Sequence, residues 1–200
     1  MTCRSPASCT CASCTPGTRG QRRRLVLARA SAGALCLPLL ALPARARATV
    51  AGGVRSLALR HTHTGERLVA TFEADGRLLP QALAALDRFL RDHYSGAVGR
   101  MDAQLFEQLH ALQARLGSGA AFEVISGFRS PHTNERLRQR GGGGVARGSL
   151  HLQGRAIDVR LPGVPLADLR DAALELRAGG VGYYARERFI HLDTGRVRSW

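Results

Sequence analysis

The chain has 200 residues and a formal net charge of +14, carried by 29 arginines and no lysine against 15 acidic residues. The excess is uneven: residues 1–48 hold eight arginines and no acid, and residues 49–200 carry the remaining +6. With no zinc-finger spacing, RNA-binding aromatic motif or basic heptad, this argues against a nucleic-acid partner and suits an anionic polymer such as a cell wall.

Residues 1–20 read as a disordered or mis-started extension rich in Ser, Thr, Pro and Cys, and residues 21–48 read as an export signal. Arg22-Arg23-Arg24-Leu25-Val26 is a twin-arginine start, and Ala30 to Leu42 is an apolar run of about 13 residues, short of the roughly 20 that span a bilayer. Ala46-Arg47-Ala48 offers small residues where an export peptidase reads, which predicts cleavage before Thr49 and no membrane span afterwards. The pattern points to the Tat route and the periplasm, although Gln21, where a small hydroxyl residue is usual, leaves Sec open. All five cysteines (Cys3, Cys9, Cys11, Cys14, Cys36) precede that cut. A thiol-free mature chain suits an oxidising compartment, and its metal ligands must be N and O donors.

Residues 49–200 are expected to form one domain. Leu57, Leu59 and His61 alternate, as do Leu68, Ala70 and Phe72, which predicts a hairpin turning at Gly65. Leu79, Leu83, Leu86 and Leu90 mark a helix begun near Pro80. A second helix is expected from an Asp102 cap, with Leu105, Leu109, Leu112 and Leu116 inward and Gly117 as its stop. A strand over 121–125, a short arginine-rich helix after Pro131 and a mobile loop over 141–148 follow. Then come a strand over 155–160, a helix from Leu166 to Leu176 closed by Gly179-Gly180, and a hairpin over 181–184 and 188–192. Helices before sheet, without regular βαβ alternation, predict an α+β fold. Its small antiparallel sheet should carry the site, packed against several helices, with the hairpin at its N-terminal end.

Within the strand at 155–160, Ala156, Asp158 and Arg160 share one face while Ile157 and Val159 take the other. His151 lies beyond a turn eased by Gly154, and His191 lies on a later strand that can run alongside. Two imidazoles and a carboxylate, with a fourth position left to water, describe a catalytic zinc site. A metal-free alternative makes His151 a surface loop residue and Asp158 a strand-end charge. His61, His63, His93, His110 and His132 read as structural or solvent-facing.

Ser149-x-His151-x-x-Gly154-x-Ala156-x-Asp158 with the distal His191 resembles the zinc D,D-peptidases of bacterial cell walls. That superfamily also holds D-Ala-D-Ala dipeptidases, L-alanyl-D-glutamate endolysins and the hedgehog signalling domain. Ser126-Gly127-Phe128-Arg129 is similar to its arginine motif. The opening hairpin around Thr62-His63-Thr64-Gly65 and the ending Val181-Gly-Tyr-Tyr184 to Trp200 resemble a small exported branch of peptidoglycan hydrolases. The resemblance implies one Zn2+ per chain, held by His151, Asp158 and His191. It further implies Arg129 binding an oxyanion or substrate carboxylate, peptidoglycan as partner, and a monomer that hydrolyses amide bonds in stem peptides or crosslinks, as endopeptidase or carboxypeptidase.

One departure stands out. Better-known relatives place Glu or Asp three residues before the last histidine, and here that residue is Arg188, which cannot take a proton. Asp193, on the strand face of His191, is the expected base, with an orienting bond to a ligand as its alternative; Glu187 in the preceding turn is the other carboxylate. The departure also motivates a second reading, an inactive metal-binding module that recognises wall peptides or a protein partner.

Overall fold

A computed structural model describes residues 53–140 and 145–200. The expected N-terminal extension, export signal and cysteines, and Gly141–Gly144 of the expected loop, lie outside the described residues.

Four helices and eight strands follow in the order β1 (Arg55–His61), β2 (Arg67–Ala74), β3 (Arg77–Leu78), α1 (Pro80–Phe89), α2 (Ala103–Leu116), β4 (Phe122–Ser126), α3 (Pro131–Gln139), β5 (Ala156–Arg160), α4 (Leu166–Leu176), β6 (Gly180–Tyr184), β7 (Phe189–Asp193) and β8 (Arg198–Ser199). Local chemistry sets the helix ends. Pro80 opens α1, where a missing N–H costs nothing. Asp102 caps α2 by accepting from the Gln104 N–H at 3.1 Å, and Gly117 ends it in the left-handed region at φ 59°. Ser130 caps α3 through the Thr133 N–H.

The expected closure of α4 is corrected. Arg177 adopts the left-handed conformation at φ 49° and ends the helix, while Gly180 already belongs to β6. Glycine at 179 and 180 answers a different demand, since a Cβ at either would meet Asp193.

The sheet also departs from expectation. It has eight strands in the order β3-β2-β1-β4-β5-β7-β6-β8, and it is mixed. β1 runs parallel to β4 and β8 parallel to β6, whereas β4, β5, β7 and β6 pair antiparallel. Periodicity locates strands but does not choose their neighbours. Here α1 and α2 carry the chain from the β1–β2–β3 side back to β4, which parallel pairing of β1 and β4 requires.

Residues of alternate parity divide the work in the antiparallel half. Ile157 and Val159 pair across to Leu192 and Ile190, and all four are buried in one core with Leu105, Phe106, Leu109 and Leu112 of α2. The other parity forms a row over three strands, in which Asp158 pairs with His191 and His191 with Gly182; on β4 a register shift after Val124 brings Ser126 opposite Asp158 to extend it. Because side-chain period along a strand is two, fixing the apolar register of β5, β7 and β6 fixes their part of this row as well.

Candidate metal centre

Asp158 and His191 face each other directly across β5 and β7. His151 arrives from outside the sheet, on a single 3-10 turn at Leu150–Gln153 closed by Gly154 at φ 67°. Glycine is required there twice over, by the positive φ and because a Cβ would collide with the Arg100 carbonyl. The three residues are 1%, 3% and 8% exposed for His151, Asp158 and His191, and each offers a ligand atom within 4.8 Å of the others.

The outer contacts decide which atoms face inward. His151 Nδ1 donates to the Gly127 carbonyl at 2.7 Å, so its Nε2 presents a lone pair. His191 Nε2 lies 3.2 Å from Asp193 Oδ2, which turns Nδ1 toward the other two groups. Asp158 Oδ2 is held by the Arg129 guanidinium, leaving Oδ1 to face the histidines. His151 Nε2, His191 Nδ1 and Asp158 Oδ1 then form a triangle with edges of 3.2, 2.9 and 3.2 Å. Three electron-rich atoms so close in a buried site could hold a cation among them. A tetrahedral ion with bonds near 2.0–2.1 Å spaces its ligand atoms at roughly 3.3 Å, close to these edges.

Titration follows the same contacts. Burial opposes charge on Asp158, yet His151, His191 and Arg129 hold its carboxyl well below the usual range. Burial pushes His151 down, toward the neutral imidazole that a metal ligand must be. For His191 burial is outweighed by Asp158 and Asp193, which raise it. Asp193 is likewise held low against the penalty of burial, by His191, Arg198 and the backbone N–H groups of Gly195 and Gly180.

The motif Ser126-Gly127-Phe128-Arg129 gains a physical account. Ser126 Oγ accepts from Arg129 Nε at 2.9 Å, the Gly127 carbonyl holds His151, and the Arg129 N–H donates to the His151 carbonyl at 3.1 Å. A Cβ at Gly127 would stand 2.6 Å from the Leu90 carbonyl. Arg129 thus supports Asp158 while also lining the open cleft of about 720 Å3 beside the triad.

The other expected site residues fall in different places. Asp193 does not face the cleft: it is fully buried behind His191. Its Oδ1 accepts from Gly180 and Gly195 N–H at 2.9 and 2.8 Å, and Arg198 grips both oxygens at 3.1 and 2.6 Å. That geometry suits orienting His191; proton transfer to a group in the cleft would need an oxygen on the other side of the ring. Glu187 is exposed and lines the cleft rim. Arg188, with φ 61°, lines a separate cavity with Tyr183 and Arg160. Two contributors went unread in the sequence. A backbone carbonyl such as that of Gly127 carries no residue signal, and Arg198 shows itself only once β8 is known to lie beside β6.

Over residues 49–200 the chain matches the family described as peptidoglycan L,D-endopeptidase MepK. It is 43% identical over 181 residues to the peptidoglycan L,D-endopeptidase MepK of Escherichia coli (strain K12), covering 90% of this chain and 96% of that relative. The same figures hold for the protein of that name in Shigella flexneri. It is 42% identical over 172 residues to the probable peptidoglycan L,D-endopeptidase MepK of Haemophilus influenzae, covering 85% of this chain and 92% of the relative.

Proposed function

The chain belongs to the peptidoglycan L,D-endopeptidase MepK family, and from that premise we propose that it is an exported, zinc-dependent peptidase acting on the peptide part of peptidoglycan. The observation that carries this reading is the convergence of His151, Asp158 and His191, each with a separate outer partner turning its ligand atom inward. Such outer bonds are the usual companions of metal-ligating histidines and carboxylates. A His-Asp-His set with no sulfur, a buried base and an open cleft fits a catalytic zinc site. Zinc held there supplies a Lewis acid for the scissile carbonyl and acidifies water.

The remaining roles belong to the chain's own groups. Arg129 fixes Asp158 and extends its planar fork toward the cleft, where it can hold an oxyanion or a substrate carboxylate. Asp193, expected as the base, is assigned instead to orienting His191. Glu187 is the carboxylate on the cleft lining other than Asp158, and its carboxylate oxygens are assigned to accept a proton from the attacking water. The relatives' names favour an endopeptidase over a carboxypeptidase, and the twin arginines of residues 22–24 favour the periplasm by way of Tat.

The test is zinc analysis of the purified mature chain, followed by digestion of isolated sacculi. We expect close to one zinc per chain and release of peptide fragments that chelator and His151→Ala abolish. Fragment release unchanged by either treatment would overturn the zinc mechanism. Binding to sacculi without any release would favour an inactive recognition module.

A further inference from the structure

Trp200, the only tryptophan in the sequence, remains 50% exposed although its ring centroid lies 5.3 Å from that of the ligand His191. A large apolar face left in water forgoes the stabilisation that burial brings, and an unneeded side chain at a chain edge would ordinarily move freely. This one is held through its backbone, its indole N–H and one ring face. Its backbone N–H donates to Val181 and its carbonyl accepts from Tyr183, at 3.3 and 3.0 Å. Its indole N–H donates to the Tyr184 hydroxyl at 2.9 Å, and the Arg198 guanidinium lies 4.7 Å from the ring centre.

Beneath the ring is Gly182, where a Cβ would stand 2.7 Å from the indole. Glycine inside a strand weakens it and often marks a close approach; here β6 gives up a side chain so that the indole can lie against it. Tyr184 in turn stacks on Phe189, with ring centroids 4.6 Å apart and planes 16° from parallel. Phe189, Tyr184 and Trp200 therefore form one aromatic wall of the cleft that contains the metal group.

We infer that Trp200, held in place by Tyr184 and Gly182, is a specificity-determining platform for the aliphatic side chain of the wall-peptide residue next to the bond to be cut. The inference rests on the peptidase reading above. A ring this close to His191 meets the residues that flank the reacting amide, and stem peptides offer alanyl methyls and methylene chains there. An aromatic face fixed in advance binds such groups without the entropic cost of ordering it.

Because the chain has one tryptophan, its intrinsic emission reports this position alone. The full mature chain, freed of zinc with chelator, is titrated with a purified crosslinked wall peptide and with a glycine-substituted analogue. A saturable change in emission with the first and little with the second is expected. In the zinc-loaded protein, Trp200→Ala should raise KM about tenfold with kcat within about threefold, and Trp200→Phe should recover most of the loss. Tyr184→Phe, which removes the hydroxyl that the indole N–H reaches, should shift KM in the same direction by less.

Unchanged emission at saturating peptide, or a wild-type KM in Trp200→Ala, would overturn the platform. Loss of zinc from Trp200→Ala would overturn it too, by assigning the ring to the support of His191. A wild-type chain that shows the emission change yet releases no fragments would uphold the platform and refute the peptidase reading.

Discussion

Two groups of histidines stand within one fold, and they differ in what holds the nitrogen that faces away. In the His151–His191 pair, each rear nitrogen meets an oxygen acceptor, a carbonyl at 2.7 Å or a carboxylate at 3.2 Å. The front nitrogens are thereby pointed at a third acceptor, Asp158. In the group of His61, His63 and His93, the neighbours are aromatic. His63 and His93 stack at 4.2 Å with planes 3° apart, and His61 packs edge-on to Phe89 and His93. His61 Nδ1 accepts from the His63 N–H at 3.2 Å, while Nε2 of His61 and of His93 is buried with no partner among the described residues. One arrangement gathers electron-rich atoms that could hold a cation; the other keeps charge off His61 and His93. Residue type is shared, and His61 is as buried as His151, so the outer partner is what separates a candidate metal ligand from a core side chain.

The strongest way to break this contrast is to remove a member of each group and count zinc. His151→Ala is expected to lower zinc affinity by about a thousandfold or more, beyond the 10–100-fold that loss of an outer partner costs. His93→Phe should leave zinc stoichiometry at the wild-type value. Elemental analysis with chelator competition checks both, and a loss of zinc from His93→Phe would erase the distinction.

Acid should separate the groups next. Burial first, and then His63, lowers the pKa of His61 from 6.5 to about 4. The unfolded chain therefore takes up this proton before the folded one does. Stability linked to His61 is complete above pH 6.5 and is lost as pH falls toward 4, at a cost of about 3 kcal/mol for this shift. Denaturant melts of the zinc-free protein at pH 7 and pH 4.5 measure it, and His61→Phe should flatten the dependence.

Asp193→Asn sharpens the metal side of the comparison. The substitution keeps the shape but weakens the hold on His191 Nε2 and leaves Arg198 without its carboxylate. Zinc affinity should fall 10–100-fold, a loss that excess zinc recovers. A proton-transfer role would instead leave zinc affinity intact and depress kcat at every zinc concentration.

How far the sequence foretold these groups depends on the kind of signal. The ends of α2 were legible because Asp102 and Gly117 act locally, through one side-chain bond and one positive φ. That Asp158 takes the face of β5 opposite the core was legible because Ile157 and Val159 fix the alternation there. The parity that puts Asp193 on the face of His191 is also present, and the two do touch. Parity cannot say which ring nitrogen is met, and that choice decides between orienting a ligand and moving a proton. The parallel pairing of β1 with β4 was hidden for a similar reason, since strand neighbours are chosen by contacts distant in sequence. Gly182 is the one signal left unread: a glycine within a strand run announced a close approach before the indole that makes it was known.

The smallest effect sits at the outer edge of the aromatic group. His63 is exposed, stacks on His93, and its charge adds to burial, the larger cause, in lowering the pKa of both His61 and His93. Removing it in His63→Ala should cost about 0.5–1.5 kcal/mol of stability at neutral pH, the scale of one aromatic pair. The same change relieves a repulsion that exists only in acid, so the pKa values of His61 and His93 should rise and the variant should lose less stability than wild type on going from pH 7 to pH 4.5. Proton NMR of the imidazole C–H resonances follows each titration separately. If His61 and His93 titrate unchanged in His63→Ala, burial alone keeps this group neutral and the stacked ring contributes packing only; the resonances of His151 and His191, on the far side of the comparison, should be unmoved by the substitution in either case.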